Sequence, residues 1–239
     1  MGRHGTIAGR KAAQDSKRAA MFTKYAKAIT VAAKDGGDPD YNASLRLAIE
    51  KAKAISMPND NIQRAIKKGT GELGGASYEE MTFEGYGLGG VAVIVEALTD
   101  NSNRTTSSVR STFDKYGGNL GTPGCVSYMF NSKGVLVIDN EDGDFEEDEV
   151  MMDALEAGAE DFAPEEGVFE VYTDPDGLSE VAAQLEGKYK FLSAQVEMVP
   201  QNYVKLTDEE NIKKFEKMLD LMDDNDDIQN VWHNWEDAE

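Results

Sequence analysis

The first 34 residues carry Arg3, Arg10, Lys11, Lys17, Arg18, Lys24, Lys27 and Lys34, with His4 among them and Asp15 as the only acid. Lysine and arginine at this density attract a polyanion and displace its counterions, the chemistry of phosphate-backbone binding. A second basic group, Arg64, Lys67 and Lys68, falls in the last turn of a predicted helix. It reads either as a second phosphate contact or as bases paired with the helix dipole. A third polar stretch, Thr99–Thr105, places Asn101, Asn103 and Arg104 between a predicted strand and a predicted helix. It reads as a ligand-facing loop or as a helix cap, since Asp, Asn and Ser all satisfy the first free N–H groups of a helix.

The charge is sharply divided along the chain. Residues up to Thr70 hold 14 basic and 6 acidic side chains; the remainder holds 10 basic and 39 acidic, for a net charge of −21. The acidic body repels nucleic acid, so contact is expected from the basic head alone. The 239 residues allow two or three domains. A single cysteine, Cys125, excludes an intramolecular disulfide and fits a reducing compartment. No apolar run reaches the roughly 18 residues of a membrane span, and the basic start lacks the apolar core of a secretory signal. A cytoplasmic location is expected, with no membrane partner.

Other chemistries fail on spacing. His4, Cys125 and His233 are scattered and form no zinc pattern, and no metal or cofactor is expected. Cys125 and His233 make a nucleophile and base only if the fold joins them; a Cys with apolar flanks reads as core. The run Asp223-Asp224-Asn225-Asp226-Asp227 lacks the glycine and closing glutamate of a calcium loop and reads as a solvated turn. Gly85–Gly90 matches G-x-G-x-x-G, but it precedes the β-branched run at Val91–Val95 rather than a helix, so it reads as a hairpin turn. Aromatic residues are not interleaved with the basic ones, so contact is expected mainly with the backbone of a nucleic acid. The chain reads as a non-enzyme.

The elements that position these residues follow from periodicity. Met21–Lys34 is an amphipathic helix with Lys24 and Lys27 on its polar face. Extended backwards, that helix would put Lys11 and Arg18 on the apolar side, so Met1–Ala20 is predicted to be a mobile basic arm. Two more helices, about 42–55 and from Pro58 to Gly69, complete a head over residues 1–76, with Gly69 at the left-handed cap position. Residues 132–201 show the order β-α-β-β-α-β of a ferredoxin-like domain. The flanking segments, 77–131 and 202–239, repeat that order, with Cys125–Phe130 as one strand and Thr207 capping the following helix. The expected fold is α+β: a three-helix domain and two ferredoxin-like α/β domains, the third inserted in the second.

Several stretches resemble one family. They are Lys11–Arg18, Met57–Gly71, Phe83–Gly87, Glu96–Thr105, Gly117–Gly121 and Asp226–Asn234. In this order they are similar to the signatures of the YebC/PmpR family. The family's Ser-Lys-Trp step after its first His is replaced here by Gly5-Thr6-Ile7. The resemblance implies a three-domain protein acting in gene expression without an established reaction. It implies a DNA-binding transcriptional regulator, or alternatively a ribosome-associated translation factor that binds ribosomal RNA and relieves stalling. A small-molecule sensor is a further alternative, by fold analogy.

Overall fold

Apolar residues at helical spacing bring the head's helices onto one core. The computed structural model describes residues 14–74 and 77–236, with the backbone alone at residues 14–20 and Ala43. Helices α1 (Gln14–Ala32), α2 (Ala43–Ala54) and α3 (Asn59–Gly69) bury Ile29, Leu45, Ile49, Ala52, Ile62 and Ala65 between them. Both α2 and α3 pack chiefly on α1. Asn42 ties the first two helices: its Oδ1 accepts from Leu45 N at 3.0 Å and its amide donates to Ala32 O at 2.7 Å. That one side chain caps α2 and satisfies a free carbonyl of α1.

Two expectations about the head are corrected. The first helix begins at Gln14, not Met21, so residues 14–20 do not belong to an arm. Once a helix is nucleated, each added residue forms a further bond, and Ala19, Ala20 and their neighbours are good helix formers. Gly69 is the last helical residue rather than a left-handed cap, and Thr70 follows in right-handed conformation. The absent side chain serves packing instead: a Cβ there would lie 2.3 Å from Thr30 O and 2.6 Å from the Ala33 Cβ.

Beyond the head, β1 (Glu79–Tyr86) and β2 (Ala92–Thr99) form the antiparallel hairpin around the Gly-rich turn. Then come α4 (Ser102–Lys115) and the short β3 (Asn119–Leu120). Residues 128–203 form a compact unit of their own. It contains β4 (Phe130–Asp139), α5 (Glu147–Glu156), β5 (Asp161–Glu165), β6 (Val168–Thr173), α6 (Leu178–Leu185) and β7 (Phe191–Pro200). After it the chain continues as β8 (Val204–Lys205), α7 (Glu209–Asp223), β9 (Ile228–His233) and β10 (Trp235–Glu236).

The inserted unit is an antiparallel sheet in the order β5-β6-β4-β7. Together with its β-α-β-β-α-β chain order this is the ferredoxin-like arrangement. Leu136, Ile138, Phe169 and Val171 of the sheet pack with Val150, Ala154, Val181 and Leu185 of its helices. Residues 128–203 hold 20 acids and three bases. All three bases are paired: Lys133 with Glu160, Lys188 with Glu149 and Asp153, Lys190 with Asp139.

The other sheet has the order β3-β1-β2-β9. Its central strand β2 pairs with β1 on one side and β9 on the other, so segments before and after the insert share one sheet. Phe83, Val93 and Val95 on one face pack with Phe113 of α4 and Phe215 and Met218 of α7. The expected strand at Cys125–Phe130 is not part of this sheet; β1 provides the strand beside β2 instead. The backbone N–H groups of Gly124, Val126 and Ser127 bond the Glu84 carboxylate rather than a neighbouring strand. The helix cap also shifts by one: Asp208, not Thr207, accepts from Glu210 N and caps α7.

Replacing Gly69 by Ala is expected to destabilise the protein by about 1–3 kcal/mol, the usual range for overpacking. Urea unfolding checks this. The contact argument fails if Gly69→Ala is neutral or stabilising, as it would be at an unconstrained helical glycine.

Candidate nucleic-acid interface

The structure divides the expected phosphate-binding residues into separate groups. Arg3, His4, Arg10 and Lys11 lie outside the described residues, as do the side chains of Lys17 and Arg18 on α1. Arg64 and Lys67 are exposed on α3. Lys24, Lys27 and Lys68 are turned toward the rest of their own unit. Lys24 Nζ donates to Asp223 O at 2.7 Å, at the C-terminal end of α7. Lys68 Nζ donates to the Tyr78 hydroxyl at 3.1 Å and lies 5.3 Å from the centre of its ring.

Lys27 was expected on the outer basic face; instead it is buried, at 8 % exposure. Its Nζ donates to Asp227 Oδ1 at 2.5 Å and to Asp226 O at 2.9 Å. The helix periodicity that assigned Lys27 to the polar face was correct. That face is polar because it meets a carboxylate, not because it meets water.

Asp227 is the centre of this contact. It is 5 % exposed, and its Oδ2 accepts from Arg104 at 2.7 Å and from Thr105 Oγ1 at 2.9 Å. Its own backbone carbonyl accepts from Leu98 N on β2 at 2.7 Å. Asn225 turns the chain by accepting from Asp227 N at 3.0 Å, and its amide donates to Ser108 on α4 at 3.1 Å. The acidic run 223–227 is therefore not simply a solvated turn. Burial alone would push the Asp227 carboxyl up, but the hydrogen bonds from Lys27, Arg104 and Thr105 outweigh it and hold the group at about 2.

These contacts assign the polar stretch after β2. Asn101 caps α4, accepting from Arg104 N at 3.0 Å. Arg104 bridges Asp100 at 2.9 Å and Asp227. Asn103 is exposed. Two of the three residues are thus occupied in holding a helix end and the Asp227 site. The Asp227 cluster borders a cleft of about 640 Å³ whose other charged lining includes Asp100, Asp224 and Asp226. A cleft with this many carboxylates is a poor phosphate site. It also differs from the largely apolar pocket a small-molecule sensor would offer.

Glu84 was not singled out by sequence, yet it is buried at 7 % exposure. It accepts backbone N–H bonds from Gly124 at 2.7 Å, Val126 at 2.9 Å and Ser127 at 2.8 Å. Burial opposes its charge, but those three donors hold its carboxyl below the usual range. Its sequence signals were its place in the Phe83–Gly87 stretch and an acid between Phe83 and Gly85 in a strand. The Cys125 thiol is pushed up by burial and by the charge of Glu84, the reverse of the shift that activates a nucleophilic cysteine. Among the described residues no group of three His, Cys, Asp or Glu is placed to hold a metal ion. No described helix is long and apolar enough to cross a membrane.

The family description "TACO1/YebC protein N-terminal domain" matches residues 3–72, and "TACO1/YebC second and third domain" matches residues 78–235. A probable transcriptional regulatory protein of Clostridioides difficile is 56% identical over 238 residues, covering 99% of both chains. The probable transcriptional regulatory protein YrbC of Bacillus subtilis is 51% identical over 230 residues, covering 96% of this chain and 95% of its own. The crystal structure of a conserved hypothetical protein from Aquifex aeolicus aligns with a TM-score of 0.87 at 45% identity, covering 99% of this chain and 97% of that one.

Removing Lys27 leaves Asp227 buried with one charged partner. Lys27→Met is expected to lower stability by about 3–5 kcal/mol, and adding Asp227→Asn should restore part of it; chemical denaturation of both variants checks this. The pH dependence has a definite sign. A carboxyl lowered from 3.8 to about 2 on folding stabilises fully above its unfolded value, and that stability is lost as pH falls through the folded value. Unfolding measured between pH 5 and pH 2 should show this loss in the native chain and less of it in Asp227→Asn.

Proposed function

The chain belongs to the TACO1/YebC family, and on that basis we propose that it is a nucleic-acid-binding regulator of gene expression whose basic head contacts the phosphate backbone. One observation carries this reading. Residues up to Thr70 carry 14 bases against 6 acids on a chain of net charge −21, and Arg64 and Lys67 stay exposed while Lys27 is buried. The names of the bacterial relatives support a regulatory role.

The backbone contacts are assigned to Arg64 and Lys67 together with the N-terminal bases Arg3, Arg10, Lys11, Lys17 and Arg18. His4 adds a further donor there. Phosphate contacts fix position without reading sequence, so the main specificity of such a head comes from elsewhere. DNA is the leading target. Ribosomal RNA presents the same charged backbone and is the alternative.

With about five to eight phosphates neutralised on duplex DNA, log K should fall with log salt at a slope of roughly −4.5 to −7. A slope near zero overturns the backbone mechanism. The target is then identified by sucrose-gradient sedimentation of lysate at low and high salt, with the intact chain and with a chain lacking residues 1–13. Salt-sensitive co-sedimentation of the intact chain alone with ribosomes moves the target from DNA to ribosomal RNA. Absence from ribosomal fractions, with retention on DNA, supports the DNA reading.

A further inference from the structure

We propose that the groove between α2 and α3 binds one unstacked base of a single-stranded nucleic acid. The proposal rests on the nucleic-acid reading above and adds a site to it. The groove encloses about 430 Å³, within the range of small-ligand sites, about 300–1,000 Å³. Four kinds of group line it: apolar side chains, amides, an ammonium and a carboxylate.

Its apolar wall comes from Ile49 of α2 and Ile62 of α3, residues that also belong to the head's core. They are only 9 % and 2 % exposed, so they form an apolar floor for one face of an extruded base. Asn59 and Gln63 line the same groove one helical turn apart on α3, and both are exposed. Each amide offers a donor and an acceptor, the pairing that reads a base edge. Lys53, from the last turn of α2, adds a positive charge for the phosphate. Asp38 lies in the groove as well. Its carboxylate repels a phosphate and accepts from an exocyclic amino group, so the base edge points toward Asp38 and the phosphate toward Lys53.

Charge complementarity selects the occupant. The groove belongs to the basic part of the chain, and Arg64 and Lys67 are exposed on the same helix as Asn59 and Gln63. A duplex hides the faces of its bases in the stack, whereas loops and single strands present them. Unpaired RNA and unpaired DNA share the chemistry required here, and the test separates them.

The test uses the full-length chain and fluorescence anisotropy. Its probes are a 12-nucleotide single-stranded RNA, the DNA of the same sequence, an abasic DNA of equal length, and a duplex. The native chain is expected to bind the better base-bearing single strand about tenfold more tightly than the abasic one. Asn59→Ala with Gln63→Ala should abolish that preference while leaving the salt slope unchanged. Lys53→Gln should reduce the slope by about 0.7. Both substituted amides are exposed, and circular dichroism checks that the head stays folded. Equal binding of abasic and base-bearing strands with a steep salt slope overturns the groove and leaves the backbone mechanism standing. So does a preference that survives the double substitution. No binding to any probe at low salt overturns the nucleic-acid reading, and the groove with it. The ratio of RNA to DNA affinity identifies which single strand is the ligand.

Discussion

A single buried carboxylate organises the described part of the larger unit. Asp227 sits where α1, β2, α4 and the turn before β9 come together, and each of them supplies a bond to it. A charge in that position is tolerated only when fully paired. The ammonium of Lys27, the guanidinium of Arg104 and the hydroxyl of Thr105 provide that pairing. The head is therefore attached to the following sheet by specific hydrogen bonds, not only by the linker. Tyr78 extends the same contact, with Lys27 5.9 Å and Lys68 5.3 Å from its ring centre.

This attachment decides which basic groups face outward. Lys24 and Lys27 of α1 are directed at backbone carbonyls and a carboxylate of the C-terminal segment. Among the described residues of the head, the exposed bases are Arg46 and Lys53 on α2, Arg64 and Lys67 on α3, and Lys34 just after α1. Acidic segments of the chain thus do two things. They neutralise one side of the head, and elsewhere they repel polyanions. The inserted unit takes the second role furthest, since its three lysines are all consumed in its own ion pairs.

Much of the architecture was legible in the sequence because it rests on local pattern. The stripe Leu45, Ile49 and Ala52 specified α2, and the β-branched run at residues 91–95 specified the strand β2. The Gly-rich turn at residues 85–90 was readable as a hairpin because β-branched residues follow it. A cap before α4 was legible from the sequence, expected at Asp100, Ser102 or Asn103, but the structure uses Asn101. Helix limits were less secure: α1 begins seven residues earlier than the apolar period indicated, because backbone hydrogen bonds propagate through residues that need no buried face.

What the sequence determined by itself was therefore the division into a basic helical head and acidic α/β parts, with most element types and the resemblance to a family. These are set by composition and by periodicities of 3.6 and 2.0 residues, which act over short spans. The tertiary structure decided where the charges go. Lys27 and Asp227 are 200 residues apart, and nothing local distinguishes that lysine from Lys24 or that aspartate from Asp226. Glu84 meets its donors 40 to 43 residues away. Asn59 and Gln63 face Lys53 only because α2 and α3 both pack on α1. A side chain's type states which bonds it can make; only the folded chain brings the partner within about 3 Å and removes the competing water.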